Sequence, residues 1–326
     1  MHSRFGKHAS LVRTSLGLSM TLTLCIITSC KQPGHVKGQP HAVTEPKYDA
    51  AQHLHSGARY YYNITNTTVI NFEVNGNKAE NTNRVKAGLI YEVLKDTAGG
   101  HQVKMTYDNF DVEIKTPDSE KKMTTDNGPN SIDPVEKMLS LLKGSYLLVT
   151  IDGKGHVTGV NGYRELTEKI MNGITLTNEA DRQTMYKQLQ EMFGEKFIKN
   201  NMEQGFGVLP DTAVYVGDSW TKKQTQLADI KLKVNSTYTL ASLKDNIAGI
   251  DASADINDTD SNVNLMGYQA NVNLQGTEEG SYKADMNTGM LLSGTSEIFI
   301  KGTVQIQFRD VPLSIREKKE ITVKKI

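Results

Sequence analysis

Cysteine is nearly absent from this chain. The two residues, Cys25 and Cys30, both lie within the first thirty positions. The rest therefore carries no disulfide, no thiolate nucleophile and no cysteine-ligated metal. An excess of either charge is missing as well: 37 Lys and Arg meet 37 Asp and Glu. That balance excludes a general nucleic-acid binder, which needs a basic surplus. No apolar stretch reaches the ~20 residues that a membrane-spanning helix requires. The catalytic signatures are missing too: there is no G-x-S-x-G elbow, no HExxH zinc motif and no phosphate-binding loop.

What is present begins with an address. Arg4, Lys7 and Arg13 precede the apolar stretch Leu16 to Ile27, without any acid. Charge and length fit a secretory signal. The stretch ends in Ile27-Thr28-Ser29-Cys30, which resembles the lipobox of bacterial lipoproteins. The resemblance implies cleavage before Cys30, a diacylglycerol (palmitate-type chains) on its sulfur and an acylated amino end. Several acyl chains give stable attachment. The expected location is the cell envelope, at the periplasm-facing side of the outer membrane, because Lys31 and Gln32 follow the cysteine rather than Asp or an acidic run. Removing residues 1–29 leaves 34 basic against 37 acidic residues.

Residues 30–56 read as the lipidated cysteine and a flexible tether. Pro33, Gly34, Gly38, Pro40 and Pro46 fall there, with few apolar residues. As a coil, the twenty residues 31–50 separate body and bilayer by ~25 Å. His53 and His55 read as part of a solvated polar run, since no third metal ligand is placed nearby.

From Gly57 onward, alternation of period two dominates. Ile70, Phe72 and Val74 alternate with polar residues, as do Val103, Met105 and Tyr107. The same holds for Leu232, Val234, Tyr238 and Leu240, and for Val304 and Ile306. Such patterns predict strands with one buried face. Turn signals at Asn75-Gly76, Gly99-Gly100, Asp152-Gly153 and Asn287-Thr288-Gly289 make the grammar that of an antiparallel meander. Helical spacing appears in two places. Asp133-Pro134 caps a stripe of Val135, Met138, Leu139 and Leu142. Asn178 precedes a second stripe of Met185, Leu189, Met192 and Phe193, followed by Phe197, Ile198 and Met202. The expected fold is α+β: a mostly antiparallel sheet, open or a partial barrel, with a helical insertion. Gly144-Ser145-Tyr146 leading to Asp152 and Gly155 is echoed by Gly280-Ser281-Tyr282 leading to Asp285 and Gly289. That echo predicts two related β-rich halves, 57–162 and 217–326, joined by a helical connection, 163–216.

Tyr60-Tyr61-Tyr62, Gly144-Ser145-Tyr146, Asp152-Gly153, Leu209-Pro210, Val216-Gly217-Asp218-Ser219-Trp220 and the closing hairpin Asp285 to Gly289, behind the lipobox, together resemble a family of uncharacterised Bacteroidota lipoproteins, a domain of unknown function. The resemblance implies no activity and no site residues. The combination of sheet and helices is also similar to that of the envelope's lipoprotein carriers, whose curved sheet encloses acyl chains; that likeness is of fold alone.

The titratable residues form no familiar catalytic set. His156 reads as a solvated turn residue beside Asp152. Asp251, Asp255, Asp258 and Asp260 lack EF-hand spacing. Asp96-Thr97-Ala98 and Asp211-Thr212-Ala213 resemble a short O-glycosylation motif of Bacteroidota. Trp220 reads as a core residue with a bonded N–H. The expectation is a non-catalytic binding module without cofactor or metal. It takes an apolar ligand or envelope component against Met185, Leu189, Met192 and Phe193, opposed by Leu232 and Val234. The alternatives are an assembly lipoprotein working through protein partners and, third, a hydrolase. A cavity between sheet and helices would favour the first; a buried cluster of shifted carboxylates would favour the last.

Overall fold

A computed structural model describes residues 28–36, 47–49 and 53–326, leaving out 75, 98, 128–130, 132, 176–177, 200–201, 203–207, 228–230, 259–261, 266–267 and 307–308. The alternating segments are strands. In the first part of the chain they are β1 (Thr28–Val36), β2 (Lys47–Tyr48), β3 (Arg59–Val74), β4 (Asn77–Thr97), β5 (Gly100–Thr116), β6 (Ser119–Thr124), β7 (Tyr146–Asp152) and β8 (Val157–Asn161). In the second part they are β9 (Val214–Tyr215), β10 (Ser219–Leu227), β11 (Lys231–Lys244), β12 (Ile247–Asp258), β13 (Asn262–Leu265), β14 (Tyr268–Asp285), β15 (Leu291–Ile306) and β16 (Arg309–Lys325).

All but two strands join one antiparallel sheet, in the order β1-β10-β11-β12-β14-β15-β16-β3-β4-β5-β7-β8. β13 pairs with β14 and β6 with β5. The sheet is open among the described residues, ending at β1 and β8. Each half is a meander, and the halves meet where the last strand, β16, runs along β3 from Leu313↔Phe72 to Lys325↔Tyr60. Local turns thus set the order within each half, and a contact between near-terminal strands joins them.

The expected hairpins form. Val74 pairs with Asn77, and Thr97 pairs with Gly100. The echoed turns are built alike. Asp152 Oδ1 accepts from the N–H groups of Lys154 and His156, and Asp285 Oδ1 accepts from Asn287 N–H. Gly155 and Gly289 each take a positive φ, 84° and 68°, which glycine tolerates without steric cost.

Helices α1 (Pro134–Leu142) and α3 (Glu179–Phe193), with a further helical turn at 195–199, lie where helical spacing placed them, and α2 (Tyr163–Gly173) opens the expected helical connection. Asp133 Oδ1 accepts from Val135 and Glu136 N–H, and its carboxylate also meets Lys121 on β6. Asn178 Oδ1 caps α3 through Asp181 N–H. α1 buries Met138, Leu139 and Leu142. Each such side chain contributes about 1.5–3 kcal/mol, which is why the stripe, rather than propensity, holds so short a helix in place.

The segment read as a tether is partly in the sheet. β1 runs along β10, with Cys30 opposite Gln224, and the register slips between Lys31 and Gly34. Pro33 lies in that slip and has no N–H to give. Edge pairing uses backbone groups, so polar Pro/Gly-rich sequence does not prevent it. β2 pairs with β9 and buries Tyr48 completely. Residues 37–46, and the signal segment up to Ile27, lie outside the described residues.

Candidate functional site

Residues directly opposite each other in neighbouring strands share a face, so the register shows what covers the sheet's inner side. One row reads Lys222, Ser236, Ala254, Glu278, Ile298, Glu317, Thr68, Asn83, from β10 to β4. The adjacent row runs Trp220, Tyr238, Ala252, Gly280, Ser296, Lys319, Asn66, Val85. Lys222, Ser236, Ser296, Glu317, Thr68 and Asn83 are all buried. The inner face therefore carries a belt of polar groups. A large apolar cluster that includes the helices lies on one side; a smaller one, with Val234, Ile256, Ile300 and Ile315, lies on the other.

On the helical side the packing leaves a cavity of about 180 Å³. Strands β3 to β5 form its floor, with Val85, Leu89, Met105 and Val112 among the floor residues. α1 and the end of α3 form its roof with Leu139, Leu142, Met192 and Phe193. Aromatic rings are prominent: Tyr91, Tyr107, Phe110, Phe193 and Phe197 all face it. Tyr107 meets Phe193 edge to face with centroids 6.2 Å apart, and Phe110 at 5.7 Å. The volume lies near that of engineered apolar cavities that stay dry and bind benzene, about 150 Å³. It falls below the ~300 Å³ at which drug-sized pockets begin. The space fits a small apolar body or one end of a longer one.

The belt supplies the cavity's polar wall: Asn66, Glu317 and Lys319. Glu317 is 2% exposed. Its Oε1 accepts from Asn66 Nδ2 at 2.9 Å, whereas Oε2 has no hydrogen-bond partner among the described residues. Thr68, directly opposite on β3, also has a buried hydroxyl without one. Burial pushes the Glu317 carboxyl up to about 8, opposed by the Asn66 hydrogen bond and the Lys319 charge, and reinforced by Glu278. Burial likewise lowers Lys319 and raises Glu278, which hydrogen-bonds Ser296. Two acids and one base thus share a poorly solvated site in which an ionised group is costly.

The structure brings together part of the expected lining. Met192 and Phe193 face the cavity. Leu189 is fully buried and Met185 partly buried in the same cluster, but neither lines the space. Leu232 and Val234 do not oppose this stripe: they belong to the second cluster, across the belt. Parity placed them on the inner face correctly, but the register that sets how far along that face they lie is tertiary. Glu317 and Lys319 carried a readable signal that the expectation did not use. Ile315, Glu317, Lys319, Ile321 and Val323 share one parity, so two charges sit in an apolar row. Cys30 falls in β1.

Two other readings are corrected. His156 is not a free turn residue: Nδ1 lies 3.0 Å from Asp152 Oδ2 and Nε2 3.5 Å from Asp211 Oδ1, and Lys222 Nζ stands 3.6 Å from that same oxygen. Trp220 is buried and stacks on Tyr238 at 5.9 Å, but its N–H has no partner among the described residues. No group of three or more metal-ligating side chains occurs among the described residues.

The architecture defines an open antiparallel sheet protein whose helices roof an apolar cavity against a buried polar belt. Residues 98–291 match the family described as "Family of unknown function (DUF6263)", and the chain belongs to that family. No curated protein sequence matches it. Among solved structures it is similar to Pseudomonas aeruginosa OccK7 (OpdD), at 8% identity and a TM-score of 0.23, covering 83% of this chain and 100% of that one. The translocator domain of the autotransporter NalP from Neisseria meningitidis gives 8% identity and a TM-score of 0.18, covering 83% and 89%. Pseudomonas aeruginosa OpdQ gives 8% and 0.19, covering 83% and 98%. Likeness at these TM-scores carries no argument about fold or function.

Proposed function

We propose that this protein is a membrane-anchored binding module that takes up a small apolar molecule, or the apolar end of a larger one, beneath its helices. The observation that carries the reading is the cavity of about 180 Å³, walled mostly by apolar and aromatic side chains. The anchor is the acylated Cys30, and the setting is the periplasmic face of the outer membrane. Because residues 31 and 34–36 pair with β10, a chain that begins at Cys30 keeps its lipid close to the sheet edge rather than at the end of a long coil. The body then rests near the bilayer, where apolar ligands are concentrated.

A hydrolase or proton-transfer enzyme is the second reading, and one observation favours it. Glu317 is buried and Glu278 half-buried, both carboxyls have raised pKa, and Glu317 lies on a cavity wall, as acid–base catalysts often do. Binding is preferred because the cavity is small and mostly apolar, and its walls carry no serine, threonine or cysteine to act as a nucleophile.

The two readings separate in one experiment. The full chain is expressed in a lipoprotein-processing host, purified from membranes and examined by native mass spectrometry, then incubated with ester and amide panels. The binding reading expects a co-purifying small molecule at one per protein and no turnover. Turnover that disappears in Glu317→Gln would replace it with the enzyme reading. Separately, Cys30→Ala is expected to release the protein from membranes or leave it uncleaved; unchanged fractionation would remove the anchor from the account.

A further inference from the structure

The binding reading leaves the ligand's chemistry open, and the cavity wall narrows it. Three features of that wall converge. Glu317 Oε2 is buried and has no hydrogen-bond partner among the described residues, so the wall offers an acceptor that nothing fills. Leaving a buried acceptor unmade costs stability, a cost that a donor on a ligand removes. With both carboxyls ionised the cluster is one cation short, since Glu278 and Glu317 stand against Lys319. The remaining wall is rich in π-faces, with five aromatic rings around a space of about 180 Å³. Such faces attract cations, more strongly where water is excluded. An anionic head would find Lys319 already facing Glu278 and Glu317, and could accept from Glu317 only while that acid keeps its proton.

We infer that the cavity takes a primary ammonium compound with a small apolar body, its N–H groups donating to Glu317 Oε2 and its body lying among Tyr107, Phe110, Phe193 and Leu139. This rests on the binding reading and specifies it. The empty cavity holds Glu317 largely as the neutral acid. Arrival of R–NH3⁺ makes the carboxylate the favoured form, and the acid proton leaves to solvent. The ligand keeps its own three protons, so charge and protons balance. Lys319, Glu278 and Asn66 surround the carboxyl and stay in place as partners of one another and of Glu317.

The test uses the full chain and three probes of equal length: n-hexylamine, n-hexanol and n-hexanoate, titrated calorimetrically at pH 7. We expect hexylamine to bind at least tenfold tighter than hexanol, and hexanoate to bind weakest. Glu317→Gln keeps the shape and an acceptor oxygen; it should remove the preference for the amine, so that hexylamine binds no tighter than hexanol. A second measurement needs no variant. Wild-type titrations in buffers of different ionisation enthalpy should show proton release with hexylamine and none with hexanol. Hexanoate or hexanol binding as tightly as hexylamine, or amine binding without proton release, overturns the ammonium inference and leaves the cavity reading standing. Failure of all three probes to bind overturns the cavity reading itself.

Discussion

At the scale of single residues, buried polar groups govern the chemistry. Glu317 is the clearest case. Its folded pKa, about 8, lies above that of an unfolded glutamate. The folded state therefore binds the extra proton, and this contribution to stability is complete below the unfolded value, near 4.5. It is lost as pH rises through about 8. Urea unfolding of wild type and Glu317→Gln should show wild type losing ground to the variant between pH 4.5 and 8.5, with a flat difference above. A difference independent of pH would mean that the carboxyl titrates as if exposed. The His156 clasp has the opposite partner arrangement. Asp211's hydrogen bond and Asp152 raise the imidazole, while His156 lowers Asp211. The imidazolium's contribution is complete below the ordinary histidine value and fades as pH rises through the raised one. Asp211's contribution fades as pH falls through its lowered value. His156 is nearly half exposed, so the effect is less than about 1 kcal/mol. His156→Gln should be less stable than wild type at pH 5.5 and equal to it at pH 9; a deficit that persists at pH 9 would point to packing rather than charge.

At the scale of elements, sequence periodicity was a good guide to type and a poor guide to position. Helices α1 and α3 begin at the caps that Asp133 and Asn178 announced, because a cap is a local event. The β11–β12 turn shows a local signal that was too weak to read. Asp245 and Asn246 form the two-residue loop with φ of 54° and 60°, a left-handed pair built without glycine. The tether expectation missed β1 because edge pairing needs no apolar side chain. Leu232 and Val234 were assigned the right face and the wrong compartment, since register along a sheet is fixed by partners far away in the chain. The glycines of β14 and β15 make room for one of those partners. Tyr282 lies over Gly294, where a Cβ would stand 2.4 Å from the ring's Cδ1. Gly294→Ala should displace that ring, which hydrogen-bonds Ser296 beside the belt, and cost about 1–3 kcal/mol by overpacking. A thermal midpoint equal to wild type would show that the ring moves aside freely.

At the scale of the whole molecule, one sheet is assembled from two meanders joined at β16 and β3. The join is what places Glu317 and Lys319, near the end of the chain, on the wall of a cavity built by residues 64 to 202. No local pattern in either half announces that meeting: the apolar roof is legible in the sequence, whereas the polar wall shows there only as two charges in an apolar row, with nothing to say what they face. The same arrangement explains why the helical stripe is incompletely packed: the roof covers β3 to β5, while the second apolar cluster across the belt is a core of its own. The central claim is that this roofed space admits an apolar molecule. The most direct measurement is calorimetric titration of n-hexanol at several temperatures into the full chain and into Leu139→Trp, which fills the space from the roof. The account predicts saturable binding at one site with a negative heat-capacity change, lost in Leu139→Trp although that variant still unfolds cooperatively. Saturable binding that survives in a folded Leu139→Trp, or no binding to wild type, would contradict it.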